Sequence, residues 1–531
     1  MKHKQKIKGA IIIVFLIAVA KFFGVPALAQ LIDRTQNPNV AGAGIAKSLS
    51  QQIGTGRGNA VTADSSAFII ARDPFRSIRR GRQLFQRKFL RMQGLGPTTN
   101  DSVGDLNIDL ALSAGLADSC AACHGRPRGS AGFGGDVVTR PDSRDAPHLF
   151  GLGIKEMLAD EITTDLRAIR AGAIAQAQTG NQNVSRQLNS KGINYGRIIA
   201  RPNGTIDALH IKGVDADLRV KPFFHHGATT SIHEFVAGAF NDEMGMQAVD
   251  PELMAAHNGG RFVTAGGMVL DGAKDFVKAP PTDNPSADVD GDGITNEIPA
   301  SLVDHMEFYL LNYFKPATYE QTEFTARGRE LFEQVSCASC HIPDLRINRD
   351  RRVADVETVY DEQRGNFNNL FATATPLFNV VTDTSGFPAQ KKPKLQPFRA
   401  ENIFTDFKRH DLGQNFYERD YDGTIRKEFM TTPLWGVGST SPYGHDGRSI
   451  TLKEVIMRHG GEAQNARNAF AQLSPNGQRR LIDFLNSLVL FPPDDTASNL
   501  DPGDRNAQGF PQFGHGSLKL GVLFNNPNDP E

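Results

Sequence analysis

Cysteine and tryptophan are scarce in this chain: 531 residues hold four Cys and one Trp. Four cysteines leave little for a disulfide framework. Charge of one sign is not in excess either, with 58 Lys plus Arg against 59 Asp plus Glu. Removing the five lysines ahead of residue 30 leaves a net −6, which excludes the basic balance of a nucleic-acid-binding protein. Long apolar runs are missing beyond Ala10 to Ala20, eleven residues interrupted by Lys21, well short of the roughly 20 that a bilayer span needs. No phosphate-cradling glycine loop stands between a strand and a helix, and no nucleophile elbow is present. The 52 Gly and 29 Pro are too few for collagen or wholesale disorder and predict many loops.

What is present begins with an export pattern. Lys2, Lys4, Lys6 and Lys8 precede the apolar run, and Ala27-Leu28-Ala29 forms a small-x-small cleavage site. Residues 1–29 are therefore expected to be a signal peptide cut after Ala29. The mature chain is expected in the periplasm, with no stable membrane span.

All four cysteines fall in two copies of one pattern, Cys120-Ala121-Ala122-Cys123-His124 and Cys337-Ala338-Ser339-Cys340-His341. CxxCH is the attachment signature of c-type haem. Two thiols three positions apart each form a thioether to one haem vinyl group, and the adjacent imidazole reaches the iron from the same face. Zinc sites and redox dithiols do not demand a His after each second Cys. The expected cofactors are two covalent haem c groups, with His124 and His341 as iron ligands.

More than the haem motif repeats. Arg80-Gly81-Arg82-Gln83-Leu84-Phe85 precedes the first motif and Arg327-Gly328-Arg329-Glu330-Leu331-Phe332 the second, each reading as an amphipathic helix. After each motif come a Pro and Gly segment (146–153, 432–438) and a Gly turn leading through Ser231 or Thr451 into a helix. An apolar closing helix (302–311, 481–489) ends each series. This order predicts a mainly α fold of two duplicated c-type cytochrome domains with long loops, at 76–318 and 319–493. A loosely structured segment (30–75) precedes them and an extended tail (494–531) follows.

The two sites differ. Gly125 to Ala146, after the first motif, contains no histidine, so the far face of that haem is expected to be open unless His148 closes it. An iron with an empty position binds peroxide or dioxygen, which makes the first haem the expected reaction centre. A further signal is Asp288-Val289-Asp290-Gly291-Asp292-Gly293-Ile294-Thr295-Asn296-Glu297. It has carboxylates at positions 1, 3 and 5 and Gly at 6 of an EF-hand-like calcium loop. Pro299 stands where the usual closing Glu would be, so Asn296 and Glu297 complete the candidate ligand set.

The export signal, the two CxxCH motifs and Gly444-His445-Asp446-Gly447 together resemble the bacterial di-haem cytochrome c peroxidases. Relatives of these are the methylamine-dehydrogenase-maturing enzymes and the haem rubber oxygenases. Cys120 to Pro127, Phe404 to Gly413 and Arg458 to Ala463 are more similar to the branch called di-haem oxidoreductases or thiol-oxidoreductase-like proteins. The resemblance implies a peroxidase that takes electrons from a small cytochrome or cupredoxin and reduces hydrogen peroxide. Chemistry with dioxygen on an organic or protein substrate, or pure electron transfer, are the alternatives.

The family places a methionine ligand fourteen residues beyond the histidine of its Gly-His-Asp-Gly turn, and counting from His445 reaches His459, with Met457 competing. His341 and His459 then form the axial pair of the second haem. The family's acid/base glutamate falls on Glu243, with Asp242 as alternative. Where the family carries a tryptophan between the haems, this chain has His225, followed by His226. His410 and Asp411 lie in a motif of the closer branch, with a hydrogen bond to a haem edge or ligand expected of His410.

Overall fold

The computed structural model describes residues 48–96, 117–124, 145–312, 315–318, 321–360, 370–419, 423–490 and 517–519. The expected signal segment and most of the expected tail lie outside the described residues. Helix α1 (Leu49–Ile53) and α2 (Ser66–Arg72) are short, each started by a serine whose hydroxyl accepts a backbone N–H, and both fall in the 30–75 segment. They precede α3 (Pro74–Gln86), which carries the first Arg-Gly-Arg-Gln-Leu-Phe sequence with Pro at its start. The first CxxCH is itself the short helix α4 (Cys120–His124).

Next come the 29-residue helix α5 (Leu152–Gly180), α6 (Ile232–Met244), α7 (Pro251–His257) and α8 (Ala300–Leu311). The second half contributes α9 (Glu323–Gln334), α10 (Leu452–Arg458), α11 (Gln464–Gln472) and α12 (Pro475–Asn486). The Ser/Thr caps read from the sequence are there. Ser231 and Thr451 each accept the N–H of the glutamate three residues on, Glu234 and Glu454, whose side chains reach back to the cap.

The repeated sequences build two similar helix pairs. In the first, α3 crosses α8 so closely that a Cβ on Gly81 would lie 2.1 Å from the carbonyl oxygen of His305. In the second, α9 crosses α12, and a Cβ on Gly328 would lie 2.0 Å from the carbonyl oxygen of Arg480. Each pair anchors a core: Leu84, Phe85, Phe240, Leu302 and Tyr309 in one, Leu331, Phe332, Phe404, Leu481 and Phe484 in the other.

The expectation of a mainly α chain of two duplicated cytochrome domains is not met. Helix accounts for 39% of residues and strand for 18%, the latter in many small sheets. What recurs is a helix pair rather than a whole domain, and the described residues belong to one compact unit. The strands escape a sequence reading because they are short, mostly paired in twos and weakly alternating. Strand β1 (Val184–Ser190) buries three of seven residues and pairs antiparallel with β2 (Ile193–Ala200) across Lys191-Gly192, both at positive φ, as a two-residue hairpin turn requires. Strand β3 (Ile206–Asp207) completes that sheet, which packs on α5 in a third core containing Leu158, Ile162, Leu188 and Tyr195. Further antiparallel pairs join Leu345–Ile347 to Phe398–Ala400 and Arg409–Asp411 to Glu428–Met430. Ser517–Lys519 adds a parallel strand to Leu370–Pro376. Among the described residues no helix is long and apolar enough to cross a membrane.

A buried charge cluster holds the first core to its N-terminal segment. His233 on α6, with no exposed side-chain surface, lies between Asp250 (2.6 Å) and Glu307 (2.8 Å). Arg57 reaches in from the segment between α1 and α2 to Asp250 (2.8 Å) and Asp304 (2.9 Å). Burial alone would lower the His233 pKa, but the two carboxylates override it and raise it to about 10. Because this lies above the unfolded value of about 6.5, the pair's stabilisation is full below pH 6.5 and is lost as pH rises through about 10.

The packing and the charge cluster lead to three expected outcomes. His233→Gln is expected to cost about 3–5 kcal/mol in urea unfolding at pH 6. The gap to the parent chain should shrink between pH 6.5 and 10, and a gap constant with pH would show an uncharged imidazole. Gly328→Ala is expected to destabilise by about 1–3 kcal/mol through overpacking. Gly172→Ala, on α5 with open space around it, should stabilise by roughly 0.4–1 kcal/mol.

Candidate functional site

The second CxxCH follows α9 directly. Ser336 turns the chain at φ +66, and a 3-10 turn over Cys337–Ser339 presents both thiols and His341 to one side. Burial raises the Cys337 thiol pKa to about 12, with the neighbouring Cys340 adding to it. His341 Nδ1–H donates to the Phe404 carbonyl at 3.1 Å, and burial lowers its pKa to about 4, so the ring is neutral. His459, the residue that ends α10, donates Nδ1–H to the Val455 carbonyl at 2.7 Å, and burial lowers its pKa too. Both imidazoles thus keep the Nε2 lone pair available, the arrangement in which backbone carbonyls orient metal-bound histidines.

Cys337, Cys340, His341 and His459 all line one cavity of about 590 Å³, within the roughly 300–1,000 Å³ typical of cofactor pockets. Phe332, Leu434, Leu481 and Leu485 supply part of its apolar wall. Two thiols and two neutral imidazoles on an apolar cavity fit a covalently held haem with two axial nitrogen ligands. Met457, the competing ligand, is 37% exposed on α10 and does not line the cavity.

His410, expected to meet a haem edge or ligand, is 5% exposed between two carboxylates, with Asp406 2.9 Å from Nε2 and Glu462 2.9 Å from Nδ1. Burial would lower its pKa, but the hydrogen bond to Asp406, with the free Cys340 thiol beside it, raises it to about 11. Asp411 packs next to it, its N–H donating to Glu462 and its carboxylate accepting from the Tyr417 hydroxyl. Sequence reasoning assigned no role to Asp406 or Glu462, although both lie in the segments that carried the family resemblance.

At the first CxxCH the same backbone device recurs. His124 Nδ1–H donates to the Pro147 carbonyl at 2.7 Å. Burial raises the Cys120 thiol pKa to about 12, with Cys123 adding to it, and Cys120 packs on the first core beside α3. The loop 125–144 and residues 97–116 lie outside the described residues. His148 accepts the Phe150 N–H at Nδ1 (3.2 Å) and donates Nε2–H to the Trp435 carbonyl (3.2 Å). Burial, with the Lys155 charge, lowers its pKa to about 3, so it is neutral with both nitrogens committed to backbone. Lys155 itself, which the sequence did not single out, lines the cavity and is lowered by burial to about 8.

Glu243 stands half-buried in the last turn of α6. That turn is held toward the first CxxCH: Phe240 meets Phe89 edge-on at 5.8 Å, and the Phe89 N–H donates to the Asp118 carbonyl two residues ahead of Cys120. The alternative acid, Asp242, is ion-paired with Lys278 at 2.6 Å.

His225 and His445 lie between the two motif regions. His225 Nε2–H donates to the Asp145 carbonyl (3.1 Å), the Asp145 N–H donates to the His445 carbonyl (2.8 Å), and the two rings are 6.0 Å apart. His445 stacks on Phe429 at 4.1 Å, and Phe416 stands between it and His459 at 6.2 and 5.2 Å. Asp288, Asp290 and Asp292 of the candidate calcium loop come together, while Asn296 is exposed and Glu297 is buried.

No curated protein sequence matches the chain. Among solved structures, hydrazine synthase of Kuenenia stuttgartiensis is similar over 35% of this chain at 16% identity, with a TM-score of 0.21. This chain spans 55% of that protein's length, a likeness that carries no argument. Residues 345–488 match the family model described as "Di-haem oxidoreductase, putative peroxidase". The matched stretch begins just after the second CxxCH and contains His410, Trp435, His445 and His459, so the chain carries a di-haem oxidoreductase family domain in its second half.

Proposed function

We propose that the chain is an exported di-haem peroxidase with two covalent haems, one on Cys120, Cys123 and His124, the other on Cys337, Cys340, His341 and His459. The observation that carries this reading is the unequal supply of imidazole nitrogens. At the second motif two histidines face one cavity with Nδ1 tied to a carbonyl and Nε2 available. At the first, His124 alone has that arrangement among the described residues, and His148 is committed to backbone at both nitrogens. A six-coordinate haem stores and passes an electron, whereas one with a vacant position is where peroxide reacts.

The chain's own groups then divide the remaining work. Reducing one hydrogen peroxide to two waters consumes two electrons and two protons. With haem held there, Glu243 would take a proton from the peroxide and return it to the leaving oxygen as water. Asp242 is poorly suited to this, because its side chain is engaged by Lys278 at 2.6 Å. Electrons enter at the second haem from a small cytochrome or cupredoxin in the periplasm. The rings of His225 and His445 stand 6.0 Å apart and support passage between the haems.

Electron paramagnetic resonance of the half-reduced protein tests the division of labour. One high-spin or cyanide-binding haem and one low-spin haem are expected, and His459→Ala should convert the low-spin centre to high-spin. Glu243→Gln should lower peroxide turnover by about 10²–10⁴-fold with haem content unchanged. Two low-spin haems that bind neither cyanide nor carbon monoxide would leave only an electron carrier. Silence toward peroxide with substrate-dependent oxygen uptake would establish an oxygenase instead.

A further inference from the structure

The loop Asp288 to Glu297 gathers more negative charge than its surroundings neutralise. Ligand-capable oxygens of Asp288, Asp290 and Asp292 lie within 4.8 Å of one another, and the chain turns around them at Gly291 (φ +75) and Gly293 (φ +87). An acidic turn of this kind is common on protein surfaces and would mean little alone. Glu297 changes that. It is only 4% exposed, and its Oε1 is buried without a hydrogen-bond partner, as is Oδ2 of Asp290. Such orphaned carboxylate oxygens cost free energy unless a cation or proton meets them.

Among the described residues no Lys or Arg acts on any of the four acids. Oxygen-only donors at loop positions 1, 3 and 5, with a glutamate near the end, match a hard cation of flexible coordination, which is calcium rather than magnesium.

The loop is also joined to the end of α6 through one residue. Gln247 is fully buried, and its side-chain amide donates to the Ile294 carbonyl (3.2 Å) and to Asp290 Oδ1 (3.4 Å), while Oε1 accepts the Val289 N–H (3.0 Å). Its backbone N–H donates to Glu297 Oε2 (2.9 Å), and its carbonyl accepts the Ile298 N–H (3.2 Å). On the other side Glu297 presses on Gly94, where a Cβ would lie 2.2 Å from the carboxyl carbon, and Gly96 N–H donates to the Met244 carbonyl. The loop therefore touches both the end of α6 and the segment 90–96, four residues from Glu243.

We propose that Asp288, Asp290, Asp292 and Glu297 bind one calcium ion, and that this ion fixes the last turn of α6 through Gln247. Loading neutralises the acids that otherwise repel one another, and Gln247 carries that rigidity to the turn holding Glu243. The site is independent of the peroxidase reading, since its donors belong to neither CxxCH region.

The test uses the full chain with its haems, stripped with a chelator and titrated with calcium alone. Calorimetry should show one site per chain, with magnesium at least ten-fold weaker, and Asp290→Asn and Glu297→Gln should each weaken calcium at least ten-fold. Hydrogen exchange with and without calcium should show added protection at 240–247 and 90–96. No binding at millimolar calcium, or equal binding by both variants, overturns the site. Binding that leaves exchange at 240–247 unchanged overturns its coupling to α6.

Discussion

One kind of hydrogen bond, made at both CxxCH regions, underlies the arrangement of this molecule. His124, His341 and His459 each give their Nδ1 proton to a backbone carbonyl, of Pro147, Phe404 and Val455. Each bond selects one tautomer, fixes the ring plane and leaves the opposite nitrogen as a lone pair. A histidine held in this way needs no rearrangement to bind a metal. His148 marks the contrast, since it spends one nitrogen as donor and the other as acceptor on backbone groups, and its ring serves packing instead. The backbone atoms around each ring thus decide which nitrogen is left as a lone pair.

The scaffold that places these carbonyls depends on close helix crossings. Gly81 and Gly328 let α3 meet α8 and α9 meet α12 at backbone contact, and each CxxCH follows the first helix of its pair. Close crossing brings the Phe85 and Phe332 faces onto their cores, so the motifs start from rigid ground. Between the pairs, α5 and its hairpin form a separate core that the repeated sequences do not contain.

The parts of this architecture that could be read from the chain were those with local rules. CxxCH spacing, the Ser231 and Thr451 caps and the amphipathic helices at Gly81 and Gly328 depend on residues within a few positions of each other. The small sheets were not legible because strands such as Val184–Ser190 expose most of their side chains, leaving little alternation to detect. The acids around His410 and His233 were missed for another reason. Glu462 lies 52 residues from His410 and Glu307 lies 74 from His233, and pairings at that separation are created by packing. The same holds for Gln247, a residue without any motif that ties an acidic loop to a helix end.

The Asp145 peptide has a mechanical meaning of its own. Its oxygen accepts from the His225 ring and its nitrogen donates to the main chain of His445, so one residue ties the ring of one histidine to the backbone of the other. A shift of the Asp145 main chain would therefore reach the His225 ring on one side and the turn that carries His445 on the other.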